Sequence, residues 1–360
     1  MLKKISIAVI CVVFMFSSYL QAQHDHQQRI PIRVVVVTTF EIGEDTGDTA
    51  GEFQNWVEKL PLPTVLPFPQ GYHHLRYNTE KKVLGIVTGE GPSRIAASIT
   101  ALANDERFDL SHAYWILAGI AGVNPHVASL ASAAWAKYVV DGELAYDIDA
   151  REIPSGWDTG YVPYGRTVPY QSPRPPVSTS NGTNEFALNA GLADWAFKIS
   201  SARVKLTDND KLQSLRAKYR GFPKAQQPPF ILQGDVIASA TFWIGDVLNT
   251  WAEKWVSYWS DGRANFVMSA EEDSGYLQAL TFLDHAHRVD INRVMILRSA
   301  SDYTVPAPGQ TAAQVLAADE DHIAPSAVPE SMESAFETGS AVVNELVNNW
   351  PRYLDHIPGS

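Results

Sequence analysis

The sequence predicts an α/β protein, with three layers, α/β/α, around a central mixed and twisted sheet. Three observations lead there. Short apolar runs of strand length, at 33–37, 83–87, 113–117 and 294–297, recur along the 360 residues. Such runs, without polar alternation, belong to strands buried on both faces. Three of the four lead into a loop rich in Gly, Ser or acidic residues and then toward a helical stretch, the repeated unit of a sheet covered by helices. The composition, 45% hydrophobic and 19% charged, is that of an ordinary globular chain. No long polar linker interrupts it, so 23–360 is expected as one domain.

Residues 1–22 read as a secretory signal. Lys3 and Lys4 precede an apolar stretch at 5–16 that is too short to span a bilayer, and cleavage is expected after Ala22. The mature chain is then periplasmic or secreted and has no membrane span. Cys11, the single cysteine, lies inside this segment, so the mature chain has neither disulfide nor thiol nucleophile. That suits an oxidising compartment. The formal charge of -12 becomes about -14 once Lys3 and Lys4 are removed. An acidic chain of this kind is a poor match for nucleic acid or for anionic lipid.

The first strand runs into a loop carrying Glu41 and Glu44, a usual position for ligand-binding residues. No Arg occurs between Val34 and Leu75. A helix is expected at 51–60, stopped by Pro61 and Pro63. The strand at 83–87 leads through Gly89, Glu90 and Gly91 to Arg94 and a helix at 95–103. Glycines let backbone N–H groups approach a ligand, and a helix start favours an anion or a hydroxyl oxygen. The strand at 113–117 ends in small residues that include Gly119 and Gly122, and another strand covers 135–140.

Residues 147–183 contain Pro154, Pro163, Pro169, Pro173, Pro175 and Pro176, interleaved with Tyr161, Tyr164 and Tyr170. This irregular excursion is too long for a simple connection. Two readings stand: a lid or substrate wall, or aromatics packed onto the body. Helices follow at 184–200 and 208–220, and a strand ends at Gly234-Asp235. In the helix at 242–259, Trp251, Trp255 and Trp259 are spaced by four and share one face, which reads as core. Glu271 and Glu272 precede a helix at 273–285. His285 and His287 lack a third ligand, so no metal is implied. After the strand at 294–297 come Arg298, Ser299, Ser301 and Asp302. Open α/β sheets bind ligands at the carboxyl ends of their strands, although Asp and Ser also cap turns there. A final helix is expected at 331–348.

Arg298-Ser299-Ala300-Ser301-Asp302 resembles the Arg-x-x-Ser-Asp motif of the nucleoside phosphorylase and methylthioadenosine nucleosidase superfamily. From about Pro31 to the C-terminus the order of segments resembles one branch, the purine nucleoside permeases. The resemblance implies a nucleoside-phosphorylase-like topology, a purine nucleoside ligand and no cofactor, with homo-oligomerisation left open. It implies that Asp302 lies beside the purine as general acid, with Ser301 next to it. Glu272, or else Glu271, holds the ribose hydroxyls. Glu41, or else Glu44, activates water. Gly89 and Gly91 border the ribose and the water or phosphate site. Gly119 and Gly122 line the base and sugar pocket, and Asp235 lies close to the base.

Such a chain is expected to cleave purine nucleosides to free base and ribose. Phosphorolysis, with Arg94 on phosphate, and a soluble nucleoside-binding role in uptake are the alternatives. The loop after the first strand favours hydrolysis, because a carboxylate accepts a proton from water and repels phosphate.

Overall fold

A computed structural model describes residues 29–176, 184–320 and 326–359. The proposed signal at 1–22 and part of the excursion, 177–183, lie outside the described residues. Strand β1, Val34–Thr38, sits near the middle of one twelve-stranded sheet. On one side it pairs in parallel with β4, Val83–Val87, which continues antiparallel to β3, Leu75–Asn78, and β2, Thr64–Leu66. On the other it pairs in parallel with β5, Tyr114–Val123.

From β5 the sheet divides. Along one path β5 meets β11, Phe266–Ala270, antiparallel, then β10, Asp235–Ala238, β7, Tyr138–Asp141, and β8, Glu185–Ala187. Along the other it pairs in parallel with β12, Val294–Tyr303, which meets β6, Ala133–Trp135, and through it β9, Ile231–Gln233.

Alternation along the central strands builds the outer layers. Val35 and Val37 face α2, Pro92–Ala103, and α6, Asp273–His285, where Ile95, Ile99, Tyr276 and Leu280 are buried. Val34 and Val36 face the opposite layer. It is made by α1, Gln54–Lys59, α3, Ala190–Arg203, and α8, Val328–Asn348, through Trp56, Leu192, Val343 and Leu346. Chains buried on both faces in this way are the all-apolar runs seen in the sequence.

Two strands extend past their apolar runs. β5 continues through the small residues to Val123, and β12 continues through Arg298 to Tyr303. Each supplies the other's hydrogen bonds, so polarity alone does not end them. The run expected as a strand at 135–140 is instead two strands, β6 and β7. The helix expected at 184–200 begins only at Ala190, after β8.

Helix α5, Asp246–Trp259, buries Trp251, Trp255 and Trp259, as their spacing predicted. The excursion packs onto it: Tyr161 stacks on Trp251 with ring centroids 4.5 Å apart, and Tyr170 meets Tyr258 edge-on. The remaining elements are α4, Asp210–Arg216, α7, Ala312–Glu320, and α9, Trp350–Asp355. No helix among the described residues is long and apolar enough to cross a membrane.

Candidate functional site

A cavity of about 670 Å³ lies along the carboxyl half of β12. Arg298, Ser301, Asp302, Tyr303 and Thr304 form one wall, and Ile120, Ala121 and Gly122 of β5 form the next. The parallel register sets Arg298 opposite Gly119 and Asp302 opposite Gly122. A bulge between Ala300 and Asp302 interrupts that register. Regular alternation would send Ser301 and Asp302 to opposite faces, and the bulge lets both line the cavity. The Ser301 hydroxyl lies 2.8 Å from Asp302 Oδ1, with the Ala121 carbonyl at 3.1 Å as a second acceptor.

Arg298 organises the deep end. It is buried, and its guanidinium reaches Glu272 at 2.7 Å, Asp273 at 2.6 Å and the Ile120 carbonyl at 3.1 Å. Burial works to lower its pKa, but the Asp273, Glu272 and Glu52 carboxylates outweigh that and hold it charged. Glu272 uses its other oxygen to accept the Gly91 N–H at 3.1 Å. Gly91 has φ +85°, a left-handed backbone open to glycine. That conformation turns its N–H at the start of α2 toward Glu272, so a carboxylate of the protein already occupies the place an anion would take.

Glu52 is the acid that sequence reasoning missed. It is buried against the same guanidinium. Its carboxylate accepts the Thr39 N–H at 2.7 Å, the Thr39 hydroxyl at 2.9 Å and the Ile120 N–H at 2.7 Å. Desolvation pushes its pKa up to about 7, against the pull of Arg298 and the backbone donors. A Cβ on Gly119 would stand 2.5 Å from Arg298 Nη1 and 2.6 Å from Glu52 Oε1. Only glycine lets β5 pass this close to the pair. The one signal for Glu52 in the sequence is its position just ahead of α1, where the chain returns to the end of β1.

Glu41 is placed elsewhere. Phe40 and Ile42 line the cavity, but the Glu41 carboxylate turns into its own loop. It accepts the N–H groups of Ile42 at 2.8 Å, Gly51, Phe53 at 2.8 Å and Gln54 at 2.6 Å. A carboxylate has about four lone-pair sites, and all are taken by backbone. Glu44 is exposed and does not line the cavity.

Asp235 is likewise a backbone clip. It accepts the N–H groups of Lys137 at 2.9 Å, Tyr138 at 2.8 Å and Asn265 at 2.7 Å, joining the starts of β7 and β11 away from the cavity lining. Arg94 is exposed, donates to the Glu90 carbonyl at 2.8 Å and does not line the cavity. Gly89 lies under the Tyr72 ring, outside the cavity lining. Gly122 backs directly onto Asp302, whose Oδ2 would be 3.0 Å from a Cβ there.

Part of the cavity wall is aromatic. Tyr219 lies on Tyr303 with centroids 3.9 Å apart, and their hydroxyls donate to the carbonyls of Val305 and Ala225. Phe40, Phe242 and Trp243 also line the cavity. Tyr219 comes from the segment after α4, where the sequence shows only a mostly polar helix. None of the described part of the excursion, 147–176, lines the cavity, and Tyr161 and Tyr170 within it pack onto α5.

A model of the purine nucleoside permease family matches residues 31–358. The chain belongs to this family. A probable purine nucleoside permease of Schizosaccharomyces pombe is 32% identical over 296 residues, covering 80% of this chain and 82% of that protein. A purine nucleoside permease of Candida albicans is 27% identical, covering 90% and 77% respectively. Among solved structures, this permease-family chain is similar to a Helicobacter pylori 5′-methylthioadenosine/S-adenosylhomocysteine nucleosidase. The TM-score is 0.52 at 13% identity, with 89% of this chain and 100% of the other covered. The futalosine hydrolase of the same organism gives a TM-score of 0.51 at 12% identity, with 88% and 98% covered. The fold is therefore that of the nucleosidases, as the motif order predicted.

Proposed function

We propose that this protein hydrolyses the N-glycosidic bond of purine nucleosides, releasing free base and ribose. The observation that carries this reading is the convergence of Glu52, Glu272 and Asp302 on one cavity with Arg298 between the first two. As the bond to the base breaks, positive charge grows on the sugar and negative charge on the purine. Asp302, protonated, gives its proton to the departing base. Glu272, held by Arg298 and Gly91, keeps acceptor sites for the ribose hydroxyls and fixes the ring. Water attacks the sugar carbon and passes a proton to Glu52, whose pKa near 7 suits a base at neutral pH.

Phosphate is a poor nucleophile here. Among the described residues, five acids, Glu52, Glu90, Glu271, Glu272 and Asp302, line the cavity against two cations, Lys218 and Arg298. Arg298 is already matched by Glu272 and Asp273.

A panel of purine nucleosides incubated with pure protein, with and without phosphate and read by chromatography, tests the proposal. Base and free ribose should form at a rate that phosphate does not raise. Ribose 1-phosphate formed only with phosphate would replace hydrolysis by phosphorolysis. The names of the relatives support a second reading, a nucleoside-binding component of uptake. Tight binding without any base release would favour it.

We place the protein outside the cytoplasm on the strength of the segment at 1–22. Intact Met1 in a cytoplasmic fraction of the native host would contradict that.

A further inference from the structure

Glu271 is a cavity acid for which hydrolysis has no task. It follows β11 directly and precedes Glu272, and it is half-buried in the cavity wall. Three of the other cavity acids are engaged, Glu52 with Thr39 and Ile120, Glu272 with Arg298 and Gly91, and Asp302 with Ser301, and the remaining one, Glu90, is exposed. The Glu271 carboxylate, by contrast, accepts no hydrogen bond from any described residue. Burial and the neighbouring Glu272 and Glu90 push its pKa up to about 7. A half-buried carboxylate without a donor is costly unless a ligand supplies one.

The surroundings name the kind of donor. Ser239, Thr241 and Ser269 line the cavity with Glu271, and the Ser239 N–H is tied to the Ala270 carbonyl at 2.9 Å. That bond sets Ser239 beside the residue preceding Glu271, so hydroxyl-bearing residues adjoin the carboxylate in the wall, with Phe242 and Trp243 next along the same segment. With the base at Asp302 and the ring hydroxyls on Glu272, one sugar donor is left, the hydroxyl on the 5′ carbon. The acid next to Glu272 in the chain is Glu271.

We propose that the Glu271 carboxylate accepts a hydrogen bond from the nucleoside 5′-hydroxyl. The site then takes nucleosides with a free 5′-hydroxyl and discriminates against 5′-deoxy and 5′-alkylthio analogues. This rests on the nucleoside reading above. A ligand without that hydroxyl leaves the carboxylate desolvated and unpaired, and sites built to bind a hydroxyl reject analogues lacking it. For a half-buried charged acceptor the preference is on the order of 10- to 100-fold.

The test is calorimetric binding of adenosine and inosine, each beside its 5′-deoxy and 5′-methylthio analogue. It uses the full chain at pH 8, in an Asp302→Asn background so that bound nucleoside is not consumed. The 5′-hydroxyl forms should bind roughly 10- to 100-fold more tightly. Glu271→Leu should bring the affinities within about threefold, while Glu271→Gln, which keeps an acceptor, should retain part of the preference. Equal affinities with Glu271 intact, or a preference that survives Glu271→Leu, would overturn the assignment. Base release by the protein with Asp302 intact is measured separately. A 5′ preference without release removes hydrolysis and leaves the subsite, and release without a preference does the reverse. If none of these nucleosides binds, both fall.

Discussion

Glu41 and Glu52 stand at the two ends of one loop and are used in opposite ways. Glu41 spends its acceptor sites on the backbone N–H groups of Ile42, Gly51, Phe53 and Gln54, and so closes the loop and caps α1. Glu52 is held by only three donors, two of them from Thr39, and faces a cavity beside Arg298. Asp235 and Asp302 repeat the contrast farther along the chain. Residue type is the same within each pair. What separates a structural carboxylate from a chemical one is how many of its lone pairs the backbone consumes and which face the cavity lies on.

The largest effect should come from the cavity members. Asp302→Asn is expected to lower base release by roughly a hundred- to ten-thousand-fold, with the circular dichroism spectrum and melting temperature preserved. Turnover near that of the unmodified protein would remove Asp302 from the chemistry. Glu52→Gln should cause a loss of similar order, and Glu41→Gln should not.

The pH dependence sharpens the same contrast. As a base, Glu52 acts when ionised, so kcat/KM should rise as pH passes through about 7 and then level. Its stability contribution runs the other way. A carboxylate whose pKa is raised on folding, here from 4.5 to about 7, stabilises at low pH, and that stability is lost as pH rises through 7. Glu52→Gln should therefore gain on the order of 1–3 kcal/mol relative to the parent between pH 5 and pH 8, read by denaturant melts at both. A difference independent of pH would contradict the burial of Glu52 as an acid.

Glu41→Ala should cost about 1–3 kcal/mol of stability by orphaning backbone donors, with turnover per folded molecule held. A large kinetic loss in folded Glu41→Ala would return Glu41 to the site. The smallest effect is expected at Arg94, where Arg94→Ala should change kcat/KM by less than about twofold whether or not phosphate is present. A phosphate-dependent loss would reopen phosphorolysis.

Much of this was legible in the chain. The all-apolar runs marked β1, β4 and the starts of β5 and β12, because strands covered on both faces need no polar alternation. The Trp spacing marked the buried face of α5. Glu272 and Asp302 were singled out because each lies near the carboxyl end of a strand, where ligands bind, and the motif order named them; both line the cavity. Glu52 was not readable. Its burial comes from Thr39, Ile120 and Arg298, contacts that span up to 246 positions and leave no local pattern.

The sequence by itself determined the layers and the family, and it singled out two of the three carboxylates proposed for the chemistry, since periodicity and motif order are local properties of the chain. Only the tertiary structure decided which acids meet the cavity. Glu41 and Asp235 were drawn off by backbone donors that converge through folding, and Arg94 was turned outward onto the Glu90 carbonyl. The bulge in β12 aimed Ser301 and Asp302 together, and Arg298 brought its charge to both Glu52 and Glu272, which stand 220 positions apart in the chain. A carboxylate's chemistry depends on its desolvation and its competing donors, and both are set by neighbours that sequence distance hides.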